Sequence, residues 1–375
     1  LLVFLFIIFC FLKLAIIKHV PLINDEAYTL TISRHLSLSY FDHPPLMMWI
    51  SYLIHQFEII EFHIFRIPHI FFGLFTSFFL YKIGSIIYSR KIGVVSAILY
   101  FISPFFFLSG GLFIVPDASL NFSVAGATYI AIRLIFNNEH NVFLWLALGL
   151  LLSLAFLSKY QAYVFGIALF LAFFIWKKNM LFSKNFNISL LISAVGLVPV
   201  LLWNINNNFE SFAFHGNRSS FVFDLSHIFY SLFTQLFFLL PTTGFLIFII
   251  LSKKLTCKYE KFLVLLALPT IAIFNFFILL SDNSFAHWSM VGWMLLIPIA
   301  SHRLISMKSF KLELIIFKVF SALVAVILVA SLITHARTGF ITRSYGEKIP
   351  AWDDTRELLD WSLVANILAK NLQKE

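Results

Sequence analysis

Long apolar runs follow one another through most of this sequence, and they leave few folds open to it. They extend from Leu1 to Ile17, Ile67 to Ile87, Gly93 to Phe113, Ser119 to Phe136, Val142 to Leu157, Ala162 to Trp176, Ile188 to Trp203, Ile228 to Leu251, Phe262 to Leu280, Met290 to Ile305 and Leu312 to Ile333. The hydrocarbon core of a bilayer offers no water to backbone amides, so a run of roughly 20 apolar residues crosses it as a helix. With 60% hydrophobic and 12% charged residues among 375, a soluble multidomain protein is excluded. The expected fold is all-α and polytopic, with about 11 transmembrane helices (a range of about 10 to 13). One membrane domain is expected over residues 1–334, with an outer loop at 19–66. A short polar tail follows over 335–375, with a weakly amphipathic helix near Thr355 to Leu372.

Charge sets the orientation. The 27 Lys and Arg against 18 Asp and Glu are scattered between apolar runs and form no basic stripe, which argues against nucleic acid as a partner. One set of alternate loops holds Arg90 and Lys91, then Lys177, Lys178 and Lys184, then Lys253, Lys254, Lys258 and Lys261, then Arg303, Lys308 and Lys311. The positive-inside rule places these in the cytoplasm. The loop Asn137 to Asn141 fits poorly, because it carries Glu139 and His140 with only Arg133 nearby. Cys10 and Cys257 have no common location and no metal-ligand spacing, so no disulfide is expected.

The opposite set of loops then collects the unusual polar groups on the outer face. The stretch from Asn24 to Trp49 is the densest, with Asp25, Glu26, Arg34, His35, Asp42 and His43; Asp117, Lys159, Arg218 and His287 join it from distant loops. Ionisable groups at or in a membrane are costly, which makes them functional candidates. Each also has a structural reading. Asp25-Glu26 could be base and hydrogen-bond acceptor, or an acidic helix start with Asn24 or Asp25 as cap. Asp117 after Pro116 could likewise cap the next helix. The Asp42-His43-Pro44-Pro45 turn is rigid, and could aim a side chain at a site or merely separate Leu46 to Phe57, a short interfacial helix, from what precedes it. Lys159 could snorkel to headgroups, or meet a phosphate. His55, His63 and His69 are assigned no role. Signatures of soluble nucleotide, redox and zinc enzymes are absent.

Several motifs, in order, resemble the bacterial branch of the polytopic GT-C glycosyltransferases, the family of protein O-mannosyltransferases and lipid A aminoarabinose transferases. They are DEAY with SRHL, SYFDHPP, Arg66-Ile67-Pro68, Pro116-Asp117, LSKY ending at Tyr160, PVLLWN, SFAFHGNR and HW. Ser39 and His215 depart from the family's usual Gly and Gln, and the C-terminal soluble domain of some relatives is absent or reduced to a tail. The resemblance implies a GT-C fold and transfer, with inversion, of a sugar from a polyprenyl-phosphate-linked donor to a lipid A, lipopolysaccharide or other envelope acceptor. Asp25 would be the base and Asp117 the second catalytic acid. Lys159 and Arg218 would hold the donor phosphate, and Tyr160, Glu26, Asp42, His43 and His287 would complete the binding set. A divalent metal is possible, since only some relatives use one. The location implied is the bacterial inner membrane, with the site on its periplasmic face and membrane lipids around it. The competing readings are a protein O-mannosyltransferase-like enzyme, a transporter of lipid or solute with Asp25, Asp117 and Lys159 as coupling site, and a nonenzymatic scaffold.

Overall fold

A computed structural model describes residues 2–59, 61–139, 141–217, 225–239, 255, 257–280 and 285–306, and beyond them 323, 326, 327, 330, 331, 333–340, 359 and 370. The regular structure among the described residues is all helical, with no strand. In chain order the helices are α1 (Leu2–Ile16), α2 (Asn24–Ile32), α3 (Leu46–His55), α4 (Ile67–Ile87), α5 (Arg90–Ile102), α6 (Pro104–Leu108), α7 (Asp117–Phe136) and α8 (Val142–Ser158). They continue with α9 (Gln161–Lys177), α10 (Lys184–Val195), α11 (Val198–Asn206), α12 (Glu210–Asn217), α13 (Leu225–Phe238), α14 (Lys258–Leu279) and α15 (Met290–Ser306).

Among the described residues, six helical stretches are long and apolar enough to cross a bilayer: Phe62–Ile87, Asp117–Phe136, Gln161–Phe182, Lys184–Asn206, Lys258–Leu279 and Ala286–Ser306. The chain is thus an all-α, multi-pass membrane protein. Shorter apolar helices, α3, α8 and Ile228–Phe238, supplement them. The apolar run Leu312 to Ile333, the end of Ile228 to Leu251 and the helix near Thr355 to Leu372 lie wholly or mostly outside the described residues.

Where expectation and structure differ, proline is one reason. The run Gly93 to Phe113 is not one helix: α5 stops at Ser103, which turns extended (φ −71°, ψ 124°) before Pro104. A proline ring disfavours helical geometry in the residue before it and cannot donate to the preceding turn. The short α6 follows, then an irregular stretch that ends at Asp117. Pro68, by contrast, sits in the first turn of α4, where an N–H would be unpaired in any case.

The core lies among α4, α5, α7, α8, α9, α14 and α15, where Leu80, Tyr100, Val124, Phe165, Phe262 and Met294 are buried. Small residues let backbones approach where no hydrophobic force separates helix from lipid. A Cβ on Gly73 would lie 2.8 Å from the Gly111 Cα and 2.9 Å from the Gly110 carbonyl oxygen. Since backbone, not a flexible side chain, is what it would meet, Gly73→Ala is expected to lower stability by about 1–3 kcal/mol, read as a fall in the melting temperature in detergent.

Polar contacts separate into two ends of the bundle. At the ends of α4 and α15 and the start of α14, the Tyr88 hydroxyl donates to Glu260 (2.8 Å), Arg303 lies 3.6 Å from the same carboxylate, and Tyr88 stacks on His302. At the neighbouring end of α7, Arg133 donates to Glu139 (Nε to Oε1, 2.9 Å), and Lys177 donates to Asn138 (2.5 Å). That pairing neutralises the acid in the one loop that fitted the charge rule poorly. The other end carries Glu26, Arg66, Asp117 and Lys159. There Arg337, near the start of the expected tail, reaches the His19 carbonyl oxygen (3.3 Å) beyond α1.

Candidate functional site

The site is assembled on a frame pinned by two buried cations. Arg66, just before α4, is fully buried; it donates from Nε to Glu26 Oε1 (2.8 Å), from Nη2 to Glu26 Oε2, and to the carbonyl oxygens of Ile17 (2.9 Å), Val20 (2.8 Å) and Pro21 (2.8 Å). Glu26 also accepts the Ile23 N–H (3.2 Å) and the Ile114 N–H (3.0 Å). One ion pair therefore ties the turn after α1, the start of α2 and the stretch leading to Asp117 onto α4. Lys13 in α1 adds a second pin, donating to the carbonyl oxygens of Phe107 (2.8 Å) and Gly111 (2.6 Å). Its ammonium occupies the space a Cβ on Gly111 would need.

These contacts place Glu26 differently from the expected binding set. Its carboxylate is buried and saturated by Arg66 and two backbone amides, so it holds the frame together and is closed to a substrate. The start of α2 differs too. Ile23 stands at the cap position, with its N–H taken by Glu26, so neither Asn24 nor Asp25 caps the helix. Asp25 projects from the first turn, exposed, and its carboxylate makes no hydrogen bond or ion pair with the described residues.

One turn along α2, the Tyr28 hydroxyl donates to Asp42 Oδ1 (2.8 Å). Asp42 and His43 sit on a turn knotted around buried Tyr40, whose hydroxyl donates to the His35 carbonyl oxygen (2.9 Å), while Trp49 Nε1 donates to that of Ser37 (2.7 Å). Pro44 and Pro45 then end the turn and lead into α3, fixing where both side chains stand. His43 Nε2 is 3.8 Å from Asp42 Oδ2.

From the bundle, Lys159 and Asp117 face each other. Asp117 begins α7 but makes no cap bond; its two carboxylate oxygens accept from Lys159 Nζ at 2.9 and 3.0 Å. Lys159, extended between α8 and α9, is 4% exposed, so it does not snorkel to headgroups. Tyr160 follows. Its hydroxyl shares a hydrogen bond with Ser211 on α12 (2.6 Å), and its ring meets His215 edge-on (4.9 Å). His215 Nε2 lies 2.9 Å from the Asp42 carbonyl oxygen, and Phe214 packs on Phe41 (4.6 Å). α12 therefore rests on both the Asp42 turn and Tyr160.

Electrostatics bind the two halves. Burial pushes the Asp25 carboxyl above its ordinary range; Lys159 opposes this, and the negative charges of Asp117, Asp42 and Glu26 reinforce it. Asp25 is open to solvent, yet protein lies close enough around it to desolvate its carboxyl in part. Burial also holds His43 down at about 4, with Asp42 raising it and Lys159 and His215 lowering it further, so its imidazole is neutral at pH 7. Asp25, Asp42, His43, Asp117 and Lys159 thus share one electrostatic environment, with Tyr160 beside it.

His287 stacks with Phe105 (6.2 Å) and Phe285 (5.5 Å), and Arg218 lies outside the described residues. Tyr28, Ser211 and His215 were not singled out as site residues from sequence. The spacing of Tyr28 from Asp25 by three residues, on one helix face, is the signal that could have found the first. Among the described residues no group of three or more His, Cys, Asp or Glu is placed to hold a metal ion, and Asp117 is already engaged by Lys159.

Residues 42–203 match the family model described as dolichyl-phosphate-mannose-protein mannosyltransferase. No curated protein matches the chain. In fold, the chain is similar to ArnT from Cupriavidus metallidurans bound to undecaprenyl phosphate, with a TM-score of 0.67 and 15% identity, covering 93% of this chain. The apo state of the same protein gives a TM-score of 0.66 at 15% identity and the same coverage. The chain spans 66% of the length of those ArnT chains. By these comparisons the chain resembles the PMT and ArnT type of polytopic GT-C membrane protein, in sequence over residues 42–203 and in fold over most of its length.

Proposed function

We propose that this chain is an integral-membrane glycosyltransferase that moves a sugar from a polyprenyl-phosphate-linked donor to an envelope acceptor such as lipid A or lipopolysaccharide, with inversion. The observation that carries this reading is the convergence of a free carboxylate, Asp25, with the buried Asp117–Lys159 pair at one end of a helical bundle. The similarity to a protein captured with undecaprenyl phosphate supports the donor class. The charge pattern of the loops supports a site on the outer face, and the resemblance supports a bacterial inner membrane.

In this reading Asp25 accepts the proton of an acceptor hydroxyl as its oxygen attacks the anomeric carbon. The bond from that carbon to the donor phosphate oxygen breaks, and the electron pair leaves on the phosphate. Lys159 stabilises the leaving charge in a site where little water competes. Arg218 is assigned to the same phosphate and His287 to the donor side by resemblance alone. Asp42, held by Tyr28, and neutral His43 line the space between, where sugar hydroxyls need acceptors and donors.

A base must be ionised to work, and the Asp25 carboxyl is raised. Activity is therefore expected to rise with pH through a limb above the ordinary carboxylate range. His43→Gln should leave that limb in place, because the imidazole stays neutral across it. A limb at or below the ordinary carboxylate range would remove Asp25 from the base role.

The acceptor is tested by mass spectrometry of lipid A, lipopolysaccharide and cell-envelope glycoproteins from a deletion strain, with and without the wild-type gene. A sugar present only with the gene supports the reading and names the acceptor. Identical envelopes in both strains contradict it.

A further inference from the structure

Lys159 is the cation that acts on the Asp25 carboxyl, and it is already paired. Both oxygens of Asp117 accept from its ammonium, at 2.9 and 3.0 Å, and the pair is almost closed to solvent, Lys159 being 4% and Asp117 7% exposed. An ammonium has three N–H donors, so two directed at one carboxylate leave a single one for any other anion. A phosphate brought to Lys159 also meets the negative charge of Asp117 at close range, where little water screens it. Asp25 and Asp42 add to that field.

We propose that Asp117 is a built-in competitor for the donor phosphate: when the donor binds, Lys159 passes from the carboxylate to the phosphate, and Asp117 is released toward the acceptor side. This rests on the donor class proposed above and goes beyond it, because it makes Asp117 an antagonist of donor affinity as well as a contributor to turnover. Its use is in timing. While the donor is absent, the pair holds the start of α7 against the α8–α9 link and keeps Lys159 from binding stray anions. Once the donor is seated, a free carboxylate appears beside Asp25, ready to accept hydrogen bonds from an acceptor or a sugar hydroxyl. Donor would therefore bind before acceptor. The stretch leading to Asp117 is held by Glu26 at Ile114 and by Lys13 at Phe107 and Gly111.

The test is equilibrium binding of a polyprenyl monophosphate to the full chain in detergent, followed by native mass spectrometry. The variants are wild type, Asp117→Asn, Lys159→Met and the double variant. Asp117→Ser serves as a second neutral replacement, and each variant's melting temperature identifies any that fails to fold. Asp117→Asn is expected to bind the phosphate about tenfold more tightly than wild type while losing turnover, since one like charge is removed at close range. Lys159→Met is expected to bind it more weakly, and in that background Asp117→Asn should gain less than in the wild-type chain, only the part that comes from removing a like charge, whereas an equal gain in both backgrounds overturns the competition. Unchanged or weaker binding by folded Asp117→Asn and Asp117→Ser, with wild type binding normally, overturns the competition and leaves the donor class standing. Wild type that binds no polyprenyl phosphate overturns the donor class itself, and the competition with it.

Discussion

Asp25→Asn is expected to lower turnover by about 10²- to 10⁴-fold, the range that a positioned general base contributes. The amide keeps the size and the first-turn position of the side chain but cannot take a proton. Because Asp25 is exposed and bonded to nothing among the described residues, the fold should not suffer. The sign of the linkage points the same way. A carboxyl whose pKa is raised on folding favours the folded state below its unfolded pKa, and that contribution is lost as pH rises through the folded value. At neutral pH the ionised Asp25 is therefore a mild liability, and Asp25→Asn should melt at the wild-type temperature or slightly above it. Lost activity with unchanged or raised melting temperature is the signature expected. Activity within threefold of wild type would move the base elsewhere.

Arg66→Met is expected to do the reverse, destabilising the chain by about 3–5 kcal/mol because the buried Glu26 charge loses its partner. The carbonyl oxygens of Ile17, Val20 and Pro21 would lose their donor as well. Glu26→Gln retains an acceptor for the backbone amides and should cost less, about 1–3 kcal/mol. The double variant Arg66→Met with Glu26→Leu removes both charges and should recover part of the Arg66→Met loss, since an apolar pair can replace a buried ion pair. Thermal unfolding in detergent reads all three. If Arg66→Met melts with wild type, the pair does not hold the frame.

The helices were legible in the sequence where a single run decides them. Ile67 to Ile87 and Ser119 to Phe136 need only apolar composition; α4 coincides with its predicted run, and α7 starts two residues earlier, at Asp117. The break at Ser103 was missed because apolar residues continue on both sides of Pro104, and hydropathy does not sense a missing N–H. Within the site, the residue types were legible but not all their partners. Asp117 and Lys159 stand 42 residues apart in sequence and Glu26 and Arg66 stand 40 apart, so no local pattern joins them. Neighbouring Asp25 and Glu26 look equivalent on paper. One points out of the first turn of α2 and the other into the frame, and only the packing of α4 decides which. His215 is likewise invisible as a neighbour of Asp42, since α12 reaches it across the fold.

The most direct measurement uses the purified full chain with a synthetic polyprenyl-phosphate-linked sugar and an extract of envelope acceptors, and follows release of free polyprenyl phosphate. Release that requires the acceptor, falls by at least about 100-fold in Asp25→Asn and is likewise lost in Lys159→Met is the predicted result. Release that is absent in wild type across the sugar donors tested, or equal in wild type and Asp25→Asn, would contradict a glycosyl transfer centred on Asp25.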